Sequence, residues 1–391
     1  MSESRILTSH VGSLVRPPEF TRLLREKAAG GQVPGFQDSL RTAVQEVVQH
    51  QVEAGIDIVS DGEFGKGIGW EQYVIERMSG FSEPAATPSG APEAAAPPWG
   101  DFAHFADFYT DMFPKEQYQE RPFRCTGPIT YTGQAALQRD ITNLKSAVAA
   151  ANAHAGFLPV AAPASATALS PNDYYKTDEE YIHAAAEALR VEYKTILDAG
   201  LLLQIDDAHL PFMYDRMVPP ATEQEYFRWA DLRIHALNHA LRDLDTSRVR
   251  YHICWGSWNG PHVHDVPLMK IVNLLLKLNV GGYSIEAANA RHEHEWRVWT
   301  DVKLPEGRTL MPGVVSHQTN VVEHPELVAE RLVRFATVVG RENVIAGTDC
   351  GFAQGPFVRR VHESIMWAKL ESLVEGARLA SRELWGRASG A

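Results

Sequence analysis

The sequence predicts a single (β/α)8 barrel of the TIM type, an α/β fold, and three observations support this class. Short β-branched, apolar segments alternate with longer amphipathic segments along most of the chain. The apolar segments become polar only near their carboxyl ends, which is typical of parallel strands that are buried on both faces. A length of 391 residues accommodates one such barrel with insertions. We therefore expect residues 1–391 to form one domain.

Nine segments have the composition of strands, although such a barrel has only eight places. They are residues 6–14, 56–63, 123–130, 157–165, 201–208, 249–256, 281–289, 309–316 and 343–351. One of these segments must lie outside the barrel. Residues 157–165, FLPVAAPAS, contain two prolines, and proline is rare inside a central strand. We expect this segment to be inserted or peripheral.

Three intervening segments show helix signals. Residues 38–55 and 326–340 combine apolar positions at helical spacing with a terminal glycine, and residues 177–200 begin with a threonine and an acidic first turn. The segment near 81–122 interrupts the alternation, because its first part is rich in Pro, Ala and Gly and residues 101–114 are aromatic. We interpret it as an inserted loop region whose aromatic part can fold back over another part of the chain.

Composition excludes several classes of function. A net charge of −12 argues against a broad surface for nucleic acid or anionic membranes. No apolar run reaches the length of a transmembrane helix, and the first residues lack the pattern of a signal peptide. Three cysteines do not make a disulfide framework, so we expect a cytoplasmic protein in which a special cysteine is a ligand or a catalytic group.

Polar residues collect at the predicted carboxyl ends of the strands, where the active sites of α/β barrels lie. They are His10, Ser13, Asp61, Glu63, Asp206, Asp207, His252, Cys254, Glu286, His317, Asp349 and Cys350. Any one of them could be a buried group with a structural partner, and Glu63 and Asp206 could bind backbone amides or a lysine. Packing hardly explains so many at one end, so they indicate a functional site.

A metal site is predicted around the motif HICWG. Residues two apart on a strand point to the same face, so His252 and Cys254 can aim at one point. Cys350, at another strand end, can supply a second thiolate, and Glu286 can supply an oxygen. Such a set suits tetrahedral zinc. The spacing alone leaves open that a cysteine is only a small buried hydrophobe, which is our interpretation of Cys125.

Two thiolate ligands predict the chemistry of that zinc site. They make the ion a poor activator of water and favour the binding of a further thiol. Zinc lowers the pKa of a bound thiol, which then binds as the nucleophilic anion at neutral pH. The pattern therefore predicts the transfer of an alkyl group to sulfur.

Several motifs, in order along nearly the whole chain, resemble those of the cobalamin-independent methionine synthase family, in particular its short members that keep only the catalytic barrel. The motifs are HVGSL, RPPEF, DIVSDGEFGK, CTGPIT, LQIDDAHL, HICWG, YSIEAAN, MPGVVSHQTNVVEHPELVAERL and NVIAGTDCGF. The resemblance implies a TIM-type barrel and a zinc ion held by His252, Cys254, Glu286 and Cys350.

The resemblance also implies roles outside the metal site. Glu63 and Asp206 are expected to hold an amino-acid thiol, and His317 to handle a proton at the methyl donor. The chain departs from the family where Asp207 and Ala208 replace a common Glu-Pro pair, and His317 lies one residue out of register. It also lacks the N-terminal half of the long enzymes, which leaves the folate donor open.

Further pocket residues remain alternatives. His10, Ser13 and Trp255 are candidate substrate-binding residues, although His10 can equally be a structural hydrogen-bonding residue. Trp255 and Trp258 either stack on a donor or form a wall. We interpret the clustered histidines as surface loops and Asp349 as a partner of His252 or of the cysteine loop. These histidines are His262, His264, His292 and His294.

The predicted function is therefore zinc-dependent alkyl transfer, by default of a methyl group from a methyltetrahydrofolate-type donor, to a thiol such as homocysteine. The chain is also similar to epoxyalkane:coenzyme M transferases, and a sulfonate-bearing thiol would favour Arg16 or Lys66 as its partner. A zinc hydrolase and a structural zinc protein are less favoured. The expected partners are a small-molecule thiol and an alkyl donor, with no nucleic acid and no membrane, and the oligomeric state stays open.

Overall fold

The described part of the chain contains ten short strands. It comprises residues 4–67, 69–70, 73–82, 100–112 and 123–386 of a computed structural model. The strands are β1 (Leu7–Thr8), β2 (Ile58–Ser60), β3 (Phe81–Ser82), β4 (Arg124–Cys125), β5 (Ala155–Ala161), β6 (Leu202–Asp206), β7 (Val249–Ile253), β8 (Gly282–Ile285), β9 (Thr309–Val315) and β10 (Ile345–Thr348).

Eight of these strands form one parallel sheet in the order β1-β10-β9-β8-β7-β6-β5-β2. The first and last strands of this order are linked at their sides. The Asp57 amide donates to the Thr8 carbonyl at 3.2 Å, and Ser9 Oγ donates to the Ile58 carbonyl at 3.0 Å. The sheet thus curves round to meet itself, and the predicted (β/α)8 barrel is confirmed.

Helices surround the barrel and bury their apolar faces against it. They are α1 (Pro18–Ala28), α2 (Phe36–Glu53), α3 (Tyr73–Glu76), α4 (Gly100–His104), α5 (Ala106–Met112), α6 (Gln134–Ala151), α7 (Pro163–Thr167), α8 (Asp178–Asp198), α9 (His209–Met217), α10 (Glu223–Ala240), α11 (Leu268–Leu275), α12 (Val298–Asp301), α13 (Pro325–Val339) and α14 (Glu363–Gly386). The core lies between the two layers and includes Leu189, Leu203 and Leu332, all fully buried.

The three predicted helices are confirmed as α2, α8 and α13. The side chain of Thr177 caps α8 by accepting a hydrogen bond from the Glu180 amide. Gly55 and Gly200 follow α2 and α8 with φ values of 89° and 86°. Glycine adopts this left-handed conformation without the steric cost of a side chain, which explains why these helices end there.

The expectation that residues 157–165 are peripheral is wrong. They contribute most of β5, which lies between β2 and β6 in the barrel. Pro159 lies beyond Phe157, the last residue paired with β2, so its missing N–H interrupts no ladder with that strand. Pro163 begins α7, where proline is favourable. Instead, residues 123–130 lie outside the barrel, with β4 pairing antiparallel to β3.

The predicted insertion near 81–122 is only partly described. Residues 83–99 and 113–122 lie outside the described residues, whereas β3, α4 and α5 belong to the described part. Cys125, at the end of β4, is fully buried, as its interpretation as a core residue requires. No helix within the described residues is both long and apolar enough to cross a membrane.

A buried ion network joins three elements beside the barrel. Arg77 follows α3 and lies 2.5 Å from an Asp140 oxygen on α6 and 2.7 Å from a Glu192 oxygen on α8. All three side chains are at most 8% exposed. Burial of a charge is costly unless it is paired, so each member of the network depends on the others.

Replacement Arg77→Met is expected to lower the free energy of unfolding by about 3–5 kcal/mol, because it removes the cation paired with the buried Glu192 carboxylate, whereas Asp140 keeps Arg139. Urea unfolding measures the change. The control is Lys194→Met, which breaks the exposed pair with Asp198 and should cost about 1 kcal/mol or less. Equal costs for the two variants would contradict the role assigned to Arg77.

Candidate metal centre and substrate cavity

Three of the four predicted metal ligands lie together at the carboxyl ends of the strands. His252 is the fourth residue of β7, and Cys254 directly follows that strand. Cys350 comes two residues after the end of β10. One ligand atom from each of these residues lies within 4.8 Å of the others. The barrel therefore brings together side chains that are far apart in the sequence, in an arrangement that can hold a metal ion.

The imidazole of His252 is oriented as in a metal ligand. Its Nδ1 lies 3.0 Å from Ser284 Oγ on β8. Its Nε2 is buried and has no hydrogen-bond partner within the described residues. Buried polar atoms in proteins nearly always have a partner, and histidine ligands typically use one nitrogen for the metal and the other for a supporting group. The open nitrogen beside two sulfur atoms fits a bound cation.

The pKa values of the two thiols are shifted in opposite directions. A hydrogen bond from Cys254, assisted by His252, lowers the pKa of Cys350 well below its usual value despite burial. The same hydrogen bond and burial raise the pKa of the Cys254 thiol. Burial lowers the pKa of His252, but Cys350 outweighs burial and the net shift is upward. These contacts favour the thiolate form of Cys350, the form in which cysteine binds a metal.

The fourth predicted ligand, Glu286, lies outside the group of three. It follows β8 and is buried, and burial raises the pKa of its carboxyl to about 8. Its Oε2 accepts hydrogen bonds from Arg291 and Asn289, both at 2.9 Å. Its Oε1 has no partner within the described residues. One oxygen of Glu286 is thus engaged by the protein, and the other is open.

Asp349 binds the segment that follows Glu286, and not His252 or the loop that carries Cys350. Its Oδ1 accepts hydrogen bonds from the amides of Ala287 and Ala288, both at 2.8 Å, and its Oδ2 accepts one from Asn289 at 3.1 Å. The sequence predicted a contact with His252 or with the cysteine loop. The structure places Asp349 under the chain that follows Glu286, because β8 and β10 end at the same face of the barrel.

A cavity of about 280 Å³ adjoins the group of three. Three further predicted residues lie on its wall, namely Ser13, Glu63 and Asp206. The residues on the wall that sequence reasoning missed include Trp70, His209, Phe212, Gln354 and Arg360. Two of them lie two residues beyond quoted motifs, since LQIDDAHL ends at 210 before Phe212 and NVIAGTDCGF ends at 352 before Gln354. A slight extension of the motifs would have found these two, and His209 lies within LQIDDAHL itself.

The two carboxylates on the wall have different partners. Glu63 Oε2 lies 2.8 Å from Lys66 Nζ, and both side chains are less than 10% exposed. Glu63 also has a φ of 62°, and its amide donates to Asp61 Oδ1 at 2.9 Å. Asp206 accepts a hydrogen bond from Gln204 at 2.7 Å, and burial raises its pKa to about 7. Asp206 is thus the carboxylate without a cationic side chain as its direct hydrogen-bond partner.

Neither His10 nor Trp255 lines the cavity. Both nitrogens of His10 bind protein groups, because Nε2 lies 2.7 Å from Gln51 Oε1 and Nδ1 accepts from the Gly12 amide at 3.1 Å. Trp255 is fully buried, and its Nε1 donates to the Val266 carbonyl at 2.7 Å. The structure therefore gives both residues contacts that hold the strand ends.

His317 is also absent from the cavity wall but interacts electrostatically with Cys350 and His252. Its ring is fully buried, and neither nitrogen has a hydrogen-bond partner within the described residues. Burial lowers its pKa to about 4, although the charge of Cys350 acts in the opposite direction. Burial thus favours the neutral form of the His317 imidazole.

The interpretation of the clustered histidines as surface loops is wrong for two of them. His262 and His292 are 5% and 3% exposed, whereas His294 is exposed. The ring of His292 stacks on Trp255 with centroids 3.9 Å apart. Both buried rings bind Asp265, which the local sequence could not reveal because the contact depends on how two loops pack.

The aromatic segment α4–α5 packs on the loop that follows the HICWG motif. Asp101 accepts hydrogen bonds from Tyr109 Oη at 2.7 Å and from the amides of His262 and Val263 at 3.1 and 2.9 Å. Trp258 Nε1 donates to Tyr109 Oη at 2.9 Å. Because Trp258 is on the cavity wall, the expected folding back of this segment supports one side of the cavity.

Comparison with known proteins now identifies the family. Residues 160–378 match the family described as the cobalamin-independent synthase catalytic domain, and this match covers more than half of the chain. The chain belongs to the cobalamin-independent methionine synthase family. It is accordingly an enzyme of the methionine synthase family, and the resemblance that the motifs indicated is confirmed.

Several relatives align with almost the whole length of the chain. The chain is 25% identical over 383 residues to the methionine synthase of Sulfolobus acidocaldarius, which covers 96% of this chain and 93% of that protein. It is 22% identical over 414 residues to the 2-hydroxypropyl-CoM lyase of Xanthobacter autotrophicus, with 97% and 96% covered. The fold matches a B12-independent methionine synthase of a Shewanella species at a TM-score of 0.71 and 20% identity, with 98% and 99% covered.

Replacement His292→Gln is expected to change how stability depends on pH. Burial lowers the pKa of His292, but Asp265 and Glu295 outweigh burial and raise it from 6.5 to about 9. The charged ring therefore stabilises the fold fully below pH 6.5, and this contribution is lost as the pH rises through 9. The wild-type advantage should shrink by about 3 kcal/mol across this window.

Urea unfolding of both proteins at pH 6, 7.5, 9 and 10 measures this difference. The exposed neighbour offers a matched control, because His294→Gln should follow the wild-type pH profile. A difference between wild type and His292→Gln that stays constant with pH would show that the buried ring is not charged.

Proposed function

We propose that this protein catalyses zinc-dependent transfer of an alkyl group to a thiol, by default a methyl group from a methyltetrahydrofolate-type donor to homocysteine. The observation that carries the proposal is the group of His252, Cys254 and Cys350 on the wall of a cavity. The open Nε2 of His252 supports a cation at this place. Homology with the methionine synthases of the family supports the thiol and the methyl group.

The donor set favours zinc. Two sulfur atoms and an imidazole nitrogen suit this ion, and we propose Glu286 as the fourth ligand. Bound zinc would lower the pKa of a coordinated substrate thiol, which makes a nucleophilic thiolate available at neutral pH. The protein contributes the fixed orientation of its donors, because Ser284 holds the ring of His252 and Asp349 holds the chain after Glu286.

The other end of the thiol substrate would lie among polar residues of the wall. We propose that Asp206 binds the ammonium group of an amino-acid thiol, because its hydrogen bond from Gln204 leaves room for a charged partner. Glu63, already paired with Lys66, would assist through its other oxygen. Ser13, on the same wall, would offer a hydroxyl to the carboxylate.

His317 would handle a proton at the alkyl donor. Its buried ring has two unpartnered nitrogens within the described residues, so it can bind a donor or a water molecule. His10 and Trp255 act differently in this proposal. Because both bind protein groups away from the wall, they would hold the strand ends in place instead of contacting the substrate.

A second candidate function is the addition of a sulfonate-bearing thiol such as coenzyme M to an epoxide. The observation that favours it is Arg360 on the cavity wall, because a guanidinium suits a sulfonate. The relative named 2-hydroxypropyl-CoM lyase aligns over 97% of the chain. Arg360 is a better placed candidate for this contact than Arg16, because Arg16 is not on the cavity wall.

Two other classes of zinc protein receive less support. A hydrolase needs a metal that activates water, and the two thiolates oppose this because they supply negative charge. A structural site draws its ligands from short local loops and is closed, whereas this group opens onto a cavity. We propose small-molecule partners only, and the cytoplasmic location stays a prediction from the cysteine content.

Purified protein is expected to contain about one zinc ion per chain, and Cys350→Ser should lose both the metal and alkyl transfer. Metal analysis and an assay of thiol methylation measure the two losses. Cys125→Ala is the control, because that cysteine packs in the core against β3 and the variant should keep both properties. Alkyl transfer that survives complete removal of zinc would contradict the proposal.

Replacement Asp206→Asn is expected to weaken homocysteine binding by about 10- to 100-fold, which is the value of a hydrogen bond to a charged group. Binding of 4-mercaptobutanoate, which lacks only the amino group, should change little. Calorimetric titration of the zinc-loaded protein measures both dissociation constants. An equal loss of affinity for both thiols would show that Asp206 does not bind the amino group.

A further inference from the structure

Arg291 connects the open metal ligand to a second buried carboxylate. One nitrogen of its guanidinium donates to Glu286 Oε2 at 2.9 Å, and the other donates to Asp265 Oδ2 at 2.6 Å. The side chains of Glu286, Asp265 and Arg291 are 0%, 11% and 14% exposed. The guanidinium of Arg291 is thus shared by two carboxylates, and only Glu286 is a predicted metal ligand.

The network continues from Asp265 to the cavity wall. His262 Nδ1 lies 3.1 Å from Asp265 Oδ1 and 2.9 Å from an Arg291 nitrogen. Its other nitrogen, Nε2, lies 3.0 Å from the Trp258 carbonyl. Because a carbonyl can only accept, Nε2 carries a proton and donates it to this bond. The indole of Trp258 lines the cavity, so contacts run from the wall to Glu286.

We propose that Arg291 is a positioning residue that weakens the hold of Glu286 on the metal and links it, through Asp265 and His262, to the Trp258 loop. The inference rests on the proposed function, in which an incoming thiol binds at this centre. Arg291 and a metal ion compete for the same carboxylate charge. The positive charge of the guanidinium repels a metal cation at the same carboxylate, which makes Glu286 a weaker ligand that a substrate thiolate replaces more readily.

If Arg291 has this role, its replacement should raise the affinity of the site for the metal, whereas ordinary structural damage would lower that affinity. Loss of a group that supports a metal site usually lowers metal affinity by 10- to 100-fold. Here Arg291→Gln is expected to slow the loss of metal to a chelator by about tenfold. In the cobalt-substituted protein, homocysteine binding is followed by the change in the absorption spectrum. The homocysteine concentration that gives half of the maximal change should rise by about tenfold.

The experiment compares chelator-driven metal loss and the cobalt spectrum in four proteins. They are the wild type, Arg291→Gln, Glu286→Gln and the double variant Glu286→Gln/Arg291→Gln. If Arg291 acts through Glu286, its replacement has no further effect once Glu286 is an amide. Arg291→Lys keeps the charge without the fork that reaches both carboxylates, so it should give an intermediate result and serves if Arg291→Gln does not fold.

Arg297→Gln is the matched control, because this exposed arginine contacts the ring of Trp296 and the His294 carbonyl. It should behave as the wild type in both measurements. Faster metal loss in Arg291→Gln, or an unchanged thiol response, would overturn the role of Arg291 alone. A cobalt spectrum that neither homocysteine nor coenzyme M alters in the wild type would overturn the proposed function as well.

Discussion

In a closed barrel of parallel strands, every strand ends at the same face, and the candidate metal centre depends on this constraint. His252 and Cys254 come from β7 and Cys350 follows β10, yet two other strands separate β7 from β10 in the sheet. Only the curvature of the sheet brings these side chains within 4.8 Å of one another. A flat sheet with the same strand order would hold the two cysteines apart.

The same face collects charge, and the structure compensates for that charge by pairing. Asp349 accepts hydrogen bonds from two backbone amides, and Arg291 donates to two carboxylates. Glu63 forms an ion pair with Lys66. Unpaired buried charges would destabilise the fold by several kcal/mol each. The exceptions among the described residues are therefore informative. Three of them, His252, Glu286 and His317, are residues to which the proposed function assigns a role at the metal or at the alkyl donor.

Much of the barrel could be predicted from the sequence because its signals are local. Buried parallel strands are apolar throughout. Helices show apolar positions at helical spacing and end at glycines, so α2, α8 and α13 could be predicted from the sequence. The prolines of residues 157–165 misled the prediction, because their effect depends on which positions of β5 pair with a neighbour. His262 and His292 were misplaced for a similar reason. Their polar neighbours indicate exposure, but Asp265 and Trp255 bury them.

The sequence by itself determined the fold class, the family and the chemistry of the donor set. Strand periodicity places His252 and Cys254 on one face, and residue type limits what they can bind. The tertiary structure decided which groups are free to act, because hydrogen-bond partners come from distant segments. His10 is hydrogen-bonded to Gln51, and Glu63 forms an ion pair with Lys66. Glu286 accepts a hydrogen bond from Arg291, whereas His252 Nε2 has no partner within the described residues.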